Sequence, residues 1–246
     1  MKKNNHKISS LIGLYISYIF QKGTLIIFGV SLILMLVFLV IVANPWLENY
    51  QYLLSSKDIH RGYLEQAVFI VQVFNSVILA TIVIQIIINS SSFDSLFVSY
   101  VNRRNIAIAK ILALGIVLFL LILFEVFILY LIPTFKFSLY KPDVKDLIII
   151  LYLSISIVFE LMLSIFLTTL TQSIFMPMAL LFASIILKAI SSIAKLRDIL
   201  AYFIPMIYID DMSAKLELKT VIIAGVLSIA FSFLYFNLYS SKDLKW

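Results

Sequence analysis

Six stretches of about 20 apolar residues recur along this chain, and they constrain its fold more than any other feature. They run Thr24–Ala43, Gln66–Ile88, Ile111–Ile132, Leu147–Leu170, Ile174–Ile193 and Thr220–Tyr239. At a rise of about 1.5 Å per residue, a helix of that length crosses a hydrocarbon core of roughly 30 Å. The composition agrees, because 63% hydrophobic and 13% charged residues over 246 positions lie far from the balance of a soluble domain. The segments between the runs are too short to build one. Residues 1–246 are therefore expected to form one all-α integral membrane domain with six transmembrane helices.

The first run is expected to stay in the protein. It is longer than a signal-peptide core and ends in "ANPWLENY", which offers no small-residue cleavage pattern. With no cysteine, disulfides and thiolate metal sites are excluded. Lysines and arginines near the span ends set the orientation. Lys2, Lys3, Lys7 and Lys22 precede the first span, whereas only Lys57 and Arg61 follow it, which places both termini on the cytoplasmic side of a cell membrane.

Three segments outside the spans carry helical patterns. In "KISSLIGLYISYIFQKG" the residues Ile8, Leu11, Ile12, Tyr15, Ile16, Ile19 and Phe20 share one face, while Ser9, Ser10, Gly13, Ser17 and Gln21 lie mostly opposite. Residues 8–22 thus read as an amphipathic helix in the cytoplasmic interface, bent from the first span at Lys22-Gly23. On the outer side, residues 194–212 contain an apolar core from Ile199 to Ile209, broken by Pro205 and too short to cross, which fits a re-entrant helix. The third segment, residues 90–110, is "SSSFDSLFVSYVNRRNIAIAK". Behind capping-type serines, Phe93, Leu96, Phe97 and Tyr100 recur at helical spacing, and Arg103, Arg104 and Lys110 follow. Lys110 reads as a snorkelling anchor for the third span. The aromatic face calls for a partner protein.

This layout resembles the membrane subunit of type-2 ATP-binding-cassette exporters. In that family an amphipathic elbow helix precedes the first of six spans, a coupling helix between the second and third spans docks on an ATPase, and re-entrant helices precede the last span. The family's loop commonly ends in Pro-x-x-Arg with a lysine seven residues after the arginine. Arg103 and Lys110 keep that spacing, and Asp243-Leu244 matches the usual ending, while Ser91, Ser92 and Tyr100 replace the family's Gly-Thr pair and proline. The resemblance implies that Phe93, Leu96, Phe97, Tyr100, Arg103 and Arg104 contact the ATPase. It also implies two ATPase subunits that carry ATP and Mg, and a second six-span half, either another copy of this chain or a sister permease.

None of the six glycines begins a G-x-x-x-x-G-K-[ST] loop, so ATP is expected on another polypeptide and no cofactor on this one. His6 and His60 are the only histidines and neither lies in a span, which leaves no visible protease constellation and no expected catalysis. No nucleic-acid partner is expected; the lipid bilayer is. The polar residues inside the spans are the candidates for a substrate path: Gln72, Asn75, Glu125, Glu160 and Lys188. Glu125 and Lys188 fall at similar depths and form a candidate structural pair. An ion- or proton-coupled transporter using Glu125 and Glu160 is the alternative, and a non-transporting immunity or sensor protein a third. Spans rich in Phe, Ile and Leu suit a hydrophobic or amphipathic substrate, such as a peptide or toxin.

Overall fold

The computed structural model describes residues 8–50, 56–98, 101–136, 144–190 and 218–241. Among these residues the elements are all helical: α1 (Ile8–Ile19), α2 (Lys22–Tyr50), α3 (Ser56–Val83), a π-helical segment (Ile84–Asn89), α4 (Ser91–Phe97), α5 (Arg103–Lys136), α6 (Val144–Thr171), α7 (Phe175–Ile190) and α8 (Leu218–Ser241). Five stretches are long and apolar enough to cross a bilayer: Lys22–Ala43, Ala67–Ser95, Arg103–Ile132, Leu153–Thr171 and Ile222–Ser241. The chain is an all-α, multi-pass membrane protein. The expected span Ile174–Ile193 corresponds to α7, whose 16 described residues fall short of a full crossing. The expected re-entrant segment, 194–212, lies outside the described residues.

Burial decides which helix is central. In the Ala67–Ser95 stretch 61% of the most apolar window is buried, against 22% for Lys22–Ala43. The more polar stretch is thus the inner one, because protein neighbours rather than lipid surround Gln72, Asn75, Ser76 and Gln85. Along α2, Phe28, Met35, Leu39 and Ala43 turn inward while Ile26, Ile33 and Ile41 face out. An apolar exterior over a partly polar interior is the arrangement that lipid favours. The core runs from α1 through α3 and α5 to α6 and α8; α2 packs on α3, α6 on α8, and α7 on α3 and α6.

The face predicted for α1 is the face that turns inward: Leu11, Tyr15 and Ile19 are buried, with Ile8, Ile12, Ile16 and Phe20 packed beside them. It packs chiefly on α5 and on the π-helical segment. The break before α2 falls at Phe20–Gln21, earlier than the expected bend at Lys22-Gly23. Between α6 and α7 the chain reverses through Gln172, which takes φ 54°, and Ser173 Oγ then accepts the backbone N–H of Phe175 at 3.3 Å as a cap for α7.

Candidate functional site

A seven-residue helix such as α4 has too few turns to be stable alone, so tertiary contacts must fix it. Asp94 supplies three of them. Its Oδ1 accepts a hydrogen bond from Tyr15 Oη of α1 at 2.6 Å, and its Oδ2 accepts one from Tyr239 Oη of α8 at 2.8 Å. Lys110 Nζ, from the second turn of α5, donates to Oδ2 and closes an ion pair. Asp94 is 1% exposed and Lys110 0%. The ammonium also lies 5.4 Å from the Tyr15 ring centroid and 5.1 Å from that of Tyr239, so two aromatic faces replace part of its lost hydration. One carboxylate therefore joins four helices.

Lys110 corrects its sequence reading, since it is an interior cation neutralised by Asp94 rather than a snorkelling anchor. The serines are a second correction. Ser90 makes no side-chain cap for α4; its Oγ donates back to Ile86 O at 2.6 Å, and Ser91 Oγ donates to Ile88 O at 2.6 Å. These bonds satisfy carbonyls at the end of the π-helical segment, where the regular ladder lapses.

Around this node a further polar set fastens α1. Gln85 Nε2 donates to the Tyr18 carbonyl at 3.2 Å and to Gln21 Oε1 at 2.9 Å, and its Oε1 accepts from Asn89 Nδ2 at 2.8 Å. The Tyr18 carbonyl stands at the end of α1, where backbone acceptors lack intrahelical donors. Tyr18 Oη donates to Asn89 O at 2.7 Å, and its ring stacks on Phe93 at 6.1 Å. Burial first, and then the Asp94 charge, push the Tyr15 phenol above its ordinary range, so it remains a donor to the carboxylate at neutral pH.

Of the residues expected to meet an ATPase, Phe93 is half-buried against Tyr18. Leu96 and Phe97 belong to α4 by their backbone, but their side chains lie outside the described ones, as does Tyr100 altogether. Arg103 is half-buried at the start of α5, and Arg104 is exposed, with its guanidinium 6.0 Å from the Phe236 ring centroid. Asn102 Oδ1 accepts the Arg104 backbone N–H at 3.2 Å and starts α5.

Within the spans, Gln72, Asn75, Glu125 and Glu160 are all buried inside the bundle. Asn75 Nδ2 donates to Glu125 Oε2 at 3.1 Å, which makes Asn75 the described partner of Glu125. The expected partner Lys188 belongs to α7 by its backbone, and its side chain lies outside the described ones. An open apolar groove of ≈ 470 Å³ runs between α5, α6 and α8, lined by Ile111, Val158, Met162, Ile229 and Phe233 among others. Among the described residues no group of three His, Cys, Asp or Glu side chains converges to hold a metal ion. No protein-family model matches the chain, and no curated protein matches it.

Proposed function

We propose that this protein is the membrane subunit of a type-2 ATP-binding-cassette exporter, with six spans and both termini in the cytoplasm. The observation that carries this reading is the Asp94 node, in which an amphipathic helix ahead of the first span and a short helix after the second are locked to α5 and α8 through one buried carboxylate. A coupling element needs that property. Force applied to α4 by a partner passes to α1, α5 and α8 only if α4 cannot turn independently of them. In this reading two separate ATPase chains bind ATP and Mg, and a second six-span subunit completes the path. A hydrophobic or amphipathic molecule is the cargo, consistent with the apolar groove beside α8.

The test is affinity purification of the tagged chain from its native membrane. A Walker-type ATPase should accompany it, and a Phe93→Ala, Leu96→Ala, Phe97→Ala triple variant that inserts normally should lose that ATPase, since aromatic anchors commonly carry about 2 kcal/mol or more of an interface. Undiminished ATPase binding by the triple variant, or no ATPase with the native chain, would sink the proposal.

A further inference from the structure

The geometry points to a resident proton on Glu125, bound between its Oε1 and the amide oxygen of Asn75 and shared by no other described group. By residue count Asn75 lies roughly 12 Å from Ala67 along α3, and Glu125 roughly 10 Å from Ile132 along α5. The two helices are successive spans running in opposite directions, so these ends lie on one side and the side chains meet at one depth. Both are 1% exposed.

Asn75 Nδ2 already donates to Glu125 Oε2 at 3.1 Å, which leaves two buried oxygens, Glu125 Oε1 and Asn75 Oδ1, with no hydrogen-bond partner. Two acceptors cannot satisfy each other, and an ionised carboxylate at that depth without a counter-charge costs several kcal/mol. Among the described residues Glu125 has Asn75 as its hydrogen-bond partner and forms no ion pair. One hydrogen atom on Oε1 resolves both defects. A carboxylic acid is a donor and an acceptor, and so is a primary amide. The acid O–H donates to Asn75 Oδ1 while the amide N–H donates to Oε2, closing a cyclic, electrically neutral pair between two spans. The charge, the unpaired carboxyl oxygen and the unpaired amide oxygen disappear together. Such a proton is structural: it is enclosed and held within the pair, and among the described residues no ion-pair partner stands beside it to receive it. The inference is independent of the transport reaction proposed above.

The experiment compares the full-length wild-type chain with Glu125→Gln and Glu125→Met in lipid nanodiscs, using glutamate labelled with carbon-13 in its carboxyl group. The expected infrared spectrum of the wild type at neutral pH contains a protonated-carboxyl C=O stretch that is missing from Glu125→Gln. That variant should keep its melting temperature, because the new amide repeats the same donor and acceptor pattern. Glu125→Met, which leaves the Asn75 amide unpaired, should melt roughly 4 °C lower or more. The proposal is overturned if Glu125→Gln fails to fold or melts as low as Glu125→Met. It is equally overturned if the difference spectrum shows an ionised carboxylate, or if replacing choline by sodium converts the acid band to a carboxylate band, which would identify a metal cation in the proton's place.

Discussion

Neutralising Asp94 alone should be among the most damaging single changes in this protein. In Asp94→Asn the Lys110 side chain, at 0% exposure, loses its described carboxylate partner, while Tyr15 and Tyr239 keep a weaker acceptor. Removing one member of a buried ion pair costs about 3–5 kcal/mol, whereas an exposed pair is worth about 1 kcal/mol or less. At about 2–4 °C per kcal/mol for a chain of this size, the expected loss is roughly 6–20 °C in melting temperature. Thermal unfolding in a mild detergent, followed through the two tryptophans or by size-exclusion fluorescence of a tagged chain, reads it directly. The decisive comparison is Asp94→Asn with Lys110→Met, singly and together. The double variant carries no charge at the node and retains a carbonyl for the tyrosines, so it should be more stable than the sum of the singles by about 2 kcal/mol or more. Additive losses, or an Asp94→Asn cost under about 1 kcal/mol, would mean that Lys110 reaches water or gives up its proton, and that the ion pair does not hold α4.

In intact cells, Ser56→Cys and Lys141→Cys variants of this cysteine-free chain should react with a membrane-impermeant thiol reagent while Ser99→Cys should not; labelling at position 99 would reverse the proposed orientation. The Tyr15 phenol sits above its ordinary value of 10.0 in the folded protein, so the unfolded chain releases that proton first as pH rises. Its stabilising contribution is complete below about pH 10 and falls progressively above it toward the raised folded value, so stability scans at alkaline pH should show a shallower decline in Tyr15→Phe than in the wild type.

Residue counting gives position along a helix, but not azimuth about the bundle. It placed Glu125 and Lys188 at matching depths, with the Lys188 side chain outside the described ones; it did not find Asn75, the described partner of Glu125, because which side of α5 meets α3 is set by packing. The inward face of α1 could be read from its 3.6-residue period, since the apolar residues needed on that face are local to it. Asp94 could not. It sits one residue, or about 100°, from Phe93 on a helix read for its aromatic face, and its partners Tyr15 and Tyr239 lie 79 and 145 residues away. A signal was available in the local spacing: Asp94 is the one acid between Ser90 and Lys110, so a buried pair was open to inference once Lys110 was not assumed to reach water.

The π-helical segment is expected to set how α4 presents Asp94 to the node, and a deletion series can separate its role from that of ordinary helix. From Ile84 to Asn89 the helix is one residue wider per turn, as the Ser90 N–H bond to Gln85 O at 3.2 Å records. Such a bulge absorbs one extra residue locally, so that the helices on either side keep the relative phase of an uninterrupted α-helix. Deleting Ile88, which is only half-buried, should let the wide turn close to α-geometry with Asp94 still aimed at Tyr15, Lys110 and Tyr239. Deleting Val77, in regular α3, offers no such slack: everything beyond it would turn by about 100° and carry Asp94 off the node. The Val77 deletion should therefore show the instability of Asp94→Asn and the Ile88 deletion a much smaller one, in the same thermal assay. If both deletions are equally damaging, the wide turn is not a spacer, and the orientation of α4 must be set by Gln85 and its bonds to Tyr18 and Gln21. A Gln85→Leu variant would then reproduce the loss, whereas with the spacer intact it should only loosen the end of α1.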